Sequence, residues 1–223
     1  MKVAQIWRYP VKSMAGEPLQ KATLDSLGIA GDRVVHIENS RRQLITARTH
    51  PRLLGHRATL DAAGEPLVDG KLWTDPHVLR QVVEIVGPGA RIVRDESAAR
   101  FDVLPLLVAT DGAITAFGHD GRRLRPNIVV GGVEGLAERS WPGRSLRIGK
   151  VVIGVQDLRG RCVMTTFDPD TLKQDRHVLK DIASKFEGKL ALNCYVIQGG
   201  EIHIGDDVDL LAAGSWEAIG ARQ

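Results

Sequence analysis

The chain of 223 residues contains two cysteines, Cys162 and Cys194. Two sulfurs are too few for a disulfide framework, a zinc site built from cysteines or an iron–sulfur cluster, each of which takes about four sulfur or imidazole ligands. A reducing compartment is the expectation that goes with so little cysteine. Long apolar runs are missing too. No stretch of roughly 20 apolar residues occurs, and the start, Met1-Lys2-Val3-Ala4-Gln5-Ile6-Trp7, has neither a long apolar segment nor a small-residue cleavage site. Membrane spanning and secretion are therefore not expected, and the cytoplasm is the default location. Charge of one sign is also scarce: 30 basic residues face 27 acidic ones, a net +3. So dispersed an excess is not the basic stripe of a nucleic-acid surface. The seven histidines show no zinc-type spacing, and neither an internal repeat nor a low-complexity segment is present.

What the chain does have is 43% hydrophobic residues, enough for one large or two small domains. Short β-branched runs such as Arg33–Glu38, Asn127–Val130 and Val151–Val155, bounded by Gly, Asp or Pro, predict strands. Two segments break that pattern. From Asp75 to Gly87, Asp75 can cap, Pro76 suits the first turn, and Val78, Leu79, Val82, Val83 and Val86 share a face. From Asp175 to Gly188, Val178, Leu179, Ile182, Ala183 and Phe186 form a stripe that Gly188 ends. A third, shorter helix is expected near Thr110. Glu201–Ile204 and Val208–Leu211, joined through Gly205-Asp206-Asp207, suggest a hairpin. The fold class is thus mainly β (α+β), and the polar stretch Arg94–Arg100 divides it into residues 1–95 and 96–223.

The most informative residue is Cys162, in Gly160-Arg161-Cys162-Val163-Met164-Thr165-Thr166-Phe167-Asp168-Pro169-Asp170-Thr171. Arg159 and Arg161 place positive charge three residues and one residue before the sulfur, which favours a thiolate able to bind a metal or attack an electrophile. Thr165 and Thr166 offer hydroxyl donors, and the Asp-Pro-Asp turn sets the sulfur at a strand end. Free cysteines are also often buried and inert, so the residues alone leave both roles open for Cys162; Cys194, in an apolar run, suits the inert one. Near the N-terminus, Lys12-Ser13 and Gly31-Asp32-Arg33 could clamp a phosphate, lysine as a point charge, serine as a donor and arginine as a fork. Thr46-Ala47-Arg48 is a weaker companion. Arg125 and Asn127 sit where an apolar strand enters the core, and buried polar groups there need partners. Arginine pairs such as Arg122-Arg123 and Arg159 with Arg161 suit either a solvated face or an anion pocket.

Tyr9-Pro10-Val11-Lys12-Ser13, Gly31-Asp32-Arg33, Thr46-Ala47-Arg48, Arg125-Pro126-Asn127-Ile128-Val129, Trp141, Arg161-Cys162 and Thr165–Thr171 resemble, in order and spacing, the MOSC domain family. The likeness covers nearly the whole chain: a smaller N-terminal β-rich MOSC domain, then a β-barrel MOSC domain, as in the mitochondrial amidoxime reducing components and their bacterial relatives. It implies the molybdenum cofactor, a pyranopterin dithiolene, with Cys162 as molybdenum ligand and catalytic centre. It further implies cofactor contacts from Lys12, Ser13, Arg33, Arg125, Asn127, Arg161 and Tyr195. One position that is a hydroxyl residue in the family is Leu104 here. The implied activity is reduction of N-hydroxylated small molecules such as amidoximes and hydroxylamines. Electrons would come from a separate ferredoxin, flavodoxin or cytochrome, with no nucleic acid or membrane involved. The alternatives are a non-catalytic carrier of the cofactor or of sulfur, and a pyridoxal-phosphate protein using Lys12, which distant fold relationships of the family suggest.

Overall fold

The computed structural model describes residues 1–213; residues 214–223 of the second expected domain lie outside it. In the strand Lys21–Asp25 burial alternates residue by residue, with Ala22 and Leu24 turned inward, the pattern of a sheet with one wet face. The two ten-residue strands Val151–Gly160 and Lys189–Gln198 are instead buried continuously over Val151–Val155 and Leu190–Cys194. They form the antiparallel centre of an eight-stranded sheet. On one side follow Ser145–Ile148 and Val208–Leu211; on the other follow Leu106–Thr110, Ile128–Gly131, Lys2–Arg8 and Glu17–Leu19. Only Leu106–Thr110 and Ile128–Gly131 run parallel, and helix α2 (Asp111–Phe117) lies within that crossover, as a parallel connection requires. The sheet curls until Val208 N–H donates to Met1 O at 2.9 Å and Val3 N–H to Asp206 O at 2.9 Å. Among the described residues it does not close into the expected barrel. The mainly β class with a few short helices holds.

Three smaller sheets surround it. One joins Arg91–Arg94, Val35–Glu38 and Leu44–Ile45; another Ala58–Leu60, Pro66–Val68 and Lys71–Leu72. The third joins Gly200–His203, Lys21–Asp25 and Gly28–Ile29, and here the expected hairpin is corrected. Gly200–His203 pairs with Lys21–Asp25, whereas Val208–Leu211 pairs with Ser145–Ile148. The turn is real, but each arm has a longer-range partner that buries Ile202 and Val208 in the core.

Helix α1 (Pro76–Val86) starts as its residues dictate: the Asp75 carboxylate accepts from His77 N at 2.7 Å, and Gly87 takes φ 108° past its end. It buries Val78 and Val82, while Leu79 is exposed. Helix α3 (His177–Phe186) buries Val178, Ile182 and Phe186. A second core packs Val11, Met14, Val35 and Leu53 beneath α1. The main core mixes Val3, Ile6, Leu24 and Ile29 with Leu106, Ile128, Ile153 and Leu192. The N-terminal third of the chain thus completes the sheet that carries the C-terminal two thirds.

Candidate active site

The strand Val151–Gly160 ends where Arg161 N–H donates to Gly188 O at 2.9 Å, and the chain then turns through Val163–Thr166 with Cys162 at its head. Thr165 Oγ1 donates to Cys162 O at 2.8 Å and Thr166 Oγ1 to Val163 O at 2.6 Å. The two buried threonines therefore build the turn rather than offering hydroxyls to a ligand, as their position beside the cysteine suggests. Asp168 accepts from the backbone of Asp170 and Thr171 and holds Arg123 at 2.9 Å, so the Asp-Pro-Asp turn pins the far side. Cys162 is left partly exposed in a cleft of about 870 Å³, counting space open to solvent.

Seven basic side chains line that cleft: Lys12, Arg33, Arg48, Arg123, Arg125, Arg159 and Arg161. Three carboxylates pair with some of them, Asp102 with Lys12, Arg48 and Arg159, Asp32 with Arg33, and Asp168 with Arg123, leaving an excess of four positive charges. Such an excess around one sulfur suits an anion. Burial pulls the Arg125 and Arg161 guanidinium pKa values down to about 10, since each cation is crowded out of water among other cations. Arg161 donates to Leu124 O at 2.7 Å, but its buried Nε finds no acceptor. Arg125 stacks on the Tyr9 ring, 4.2 Å from the centroid, with no hydrogen-bonded acceptor for its side chain among the described residues. Burial alone would raise the Asp102 carboxyl; the hydrogen bond and charge of Lys12, with Arg48 and Arg159, reverse this and hold it below the usual range.

Backbone strain gathers here as well. Ser13, Arg33 and Arg125 all take left-handed φ values, 72°, 55° and 55°, which cost a non-glycine residue roughly 1–3 kcal/mol and recur at ligand sites. Ser13 Oγ accepts from Ala47 N at 3.0 Å, and the Asn127 Oδ1 accepts from Leu107 N at 3.1 Å. Both line the cleft while their side chains tie its walls together.

The structure brings together Lys12, Ser13, Arg33, Arg125, Asn127, Arg161 and Cys162 from sequence-distant segments. Tyr195 is the exception and does not line the cleft. Its exposed ring lies over Gly154, where an added Cβ would stand 2.3 Å from Cζ. Asn193, two residues earlier and on the same face, lines the cleft instead, donating to Asp157 at 2.6 Å and accepting from Arg159 at 3.3 Å. Two residues along a strand is roughly 6.6 Å, enough to carry Tyr195 past the rim. A buried asparagine in an apolar strand was the signal for Asn193. Asp102 escapes the sequence reading, whereas Arg123, of the pair Arg122-Arg123, and Leu104 do line the cleft. Cys194 is fully buried in the main core, where burial pushes its thiol up, and Trp141 packs there too. Among the described residues no group of three or more His, Cys, Asp or Glu could hold a metal ion, and no helix is long and apolar enough to cross a membrane.

Two family models match the chain, the MOSC N-terminal beta barrel domain over residues 1–75 and the MOSC domain over residues 113–209. The human mitochondrial amidoxime-reducing component 1 is 27% identical over 286 aligned positions, covering 94% of this chain and 82% of the human protein. Mitochondrial amidoxime reducing component 2 of Macaca fascicularis is 25% identical, covering 78% and 69%. The crystal structure of the YuaD protein of Bacillus subtilis aligns over 94% of both chains at 13% identity, with a TM-score of 0.48.

Proposed function

Because the chain belongs to the MOSC family, pairing its N-terminal domain with the MOSC domain proper, we propose that it is a molybdenum-cofactor-dependent reductase of N-hydroxylated compounds. The observation that carries this reading is one accessible thiol in a cleft with seven basic side chains and no second metal-ligating cysteine or histidine. One sulfur cannot hold a bare metal ion against water. It suits a metal that arrives with its own soft ligands on an anionic carrier. The acceptor-less Arg161 Nε and Arg125 guanidinium fit such a group, because a polyanion supplies the hydrogen-bond acceptors they lack.

In this reading Cys162 Sγ gives the metal its protein ligand. Lys12, Arg33, Arg48, Arg125, Arg159 and Arg161 neutralise the anion and fix its orientation, and Asn127 and Ser13 brace the walls they stand on. The bound cofactor supplies a two-electron oxygen-accepting centre, so that the overall change is N–OH plus two electrons and two protons to N–H plus water. Among the described residues no histidine or glutamate lines the cleft, and the cations beside Asp102 hold its carboxyl below the usual range; in this reading proton delivery falls to water entering from the open mouth. The electrons come from a separate donor protein, since two cysteines, one of them buried in the core, cannot hold a cluster.

The test is turnover. Cofactor-loaded protein given an artificial low-potential donor should reduce benzamidoxime to benzamidine. No reduction of any amidoxime or hydroxylamine by fully loaded protein, together with ready transfer of its cofactor to an apo-enzyme, would replace the reductase by a carrier.

A further inference from the structure

A second cavity, of about 560 Å³ with its solvent-open space, lies behind the cleft and shares Met164, Arg123 and Arg125 with it as a common wall. The remainder of its lining is largely apolar: Trp7, Tyr9, Leu54, Phe167 and Pro169 come from separate segments. Trp7, Leu54, Met164 and Phe167 are all only half-buried, and none joins the three hydrophobic cores. Four large apolar side chains that line a concave wall and pack into no core keep their apolar surface for something outside the fold. The floor is held by design: a Cβ at Gly16 would stand 2.5 Å from the Tyr9 ring, so only glycine lets that ring lie flat against the chain. Above the ring sits the Arg125 guanidinium, stacked and without an acceptor. Arg122 and Arg123, by contrast, are held by Asp120, Asp170 and Asp168.

We propose that this cavity is the subsite for the flat aromatic portion of the substrate, and that it makes the protein selective for aromatic over small aliphatic N-hydroxylated compounds. The inference rests on the reductase reading for its substrate class. The ring would lie among Trp7, Phe167 and Leu54, with the polar N–O end directed past Met164 toward Cys162. Met164, two residues after Cys162 and on the wall of both cavities, is the residue the substrate must pass; its flexible thioether suits that position.

Binding tests this without turnover. Benzamidoxime and acetamidoxime are titrated by calorimetry against the full chain, with and without cofactor and with no electron donor. Benzamidoxime should bind at least tenfold more tightly in both forms. Phe167→Ala should cut that preference below about threefold while leaving pyrophosphate binding in the basic cleft unchanged. Leu54→Ser, at a lining residue from a separate segment, should do the same and serves if Phe167→Ala fails to fold. Equal affinity for the two amidoximes, or a preference untouched by both variants, would overturn the subsite. Loss of benzamidoxime binding on cofactor loading would assign the cavity to the cofactor and overturn it equally. Retained aromatic preference without turnover would count against the reductase alone.

Discussion

Asp102 is the counterweight of the cleft. Its carboxylate lies 2.8 Å from Lys12 Nζ and also pairs with Arg48 and Arg159, so an incoming anion competes with it for three cations. Asp102→Asn should raise the affinity for pyrophosphate about tenfold and lower fold stability by roughly 1–3 kcal/mol, the worth of hydrogen bonds to charged groups. Because the folded pKa of Asp102 is lowered, its stabilisation is fully present above the ordinary carboxylate value of about 3.9 and lost as pH falls through the folded one. The stability gap between wild type and Asp102→Asn, measured by urea melts, should therefore be constant from pH 8 to 5 and close below pH 4. A gap that widens on acidification would show the carboxylate is not held by its cations. Sequence alone could not disclose this residue: Asp102 follows a polar stretch that reads as a linker, and only the fold carries it to Lys12. Lys12, Arg33 and Arg125 were legible because each stands within two residues of a proline, glycine or serine that marks a turn. Tyr195 lies outside the cleft lining because strand position, which a motif does not encode, decides whether an outward side chain reaches it.

The turn Val163–Thr166 positions the sulfur through two buried hydroxyls. Thr166 Oγ1 also accepts from Gln174 Nε2 at 3.2 Å, so Thr166→Val removes both bonds, costing about 1–3 kcal/mol in total. The alkylation rate of Cys162 by iodoacetamide should rise several-fold in this variant as the turn loosens; an unchanged rate would show that the turn holds without the threonine. Helices were the most legible elements. Asp75 and Pro76 state where α1 begins in any context, since a side-chain cap is a local bond. The arms of the supposed hairpin were not legible, because a tight turn says where the chain reverses and not which strand each arm then joins. Their partners lie at Lys21–Asp25 and Ser145–Ile148, far away in sequence.

Among the described residues the stretches on either side of Arg94–Arg100 interlock through a shared sheet and a shared core. Lys2–Arg8 lies in the large sheet beside Ile128–Gly131, and Val3 and Ile6 are buried in the main core. Residues 96–223 expressed alone should therefore lose the strand that covers Ile128 and Val130, and show no cooperative thermal transition. A sharp transition from that fragment would contradict the interlock. The same interlock explains the cleft, three of whose cations come from segments before residue 50 and four from after residue 120; this cluster of charge exists only when the two parts are closed on each other. The central claim is that Cys162 holds a metal brought in on an anionic cofactor. It is tested most directly by molybdenum analysis of wild type and Cys162→Ala purified from cells that make the cofactor. About one molybdenum per wild-type chain, with most of it lost from a Cys162→Ala protein that still melts cooperatively, is the predicted result. Full molybdenum content in Cys162→Ala, or none in either protein, would contradict it.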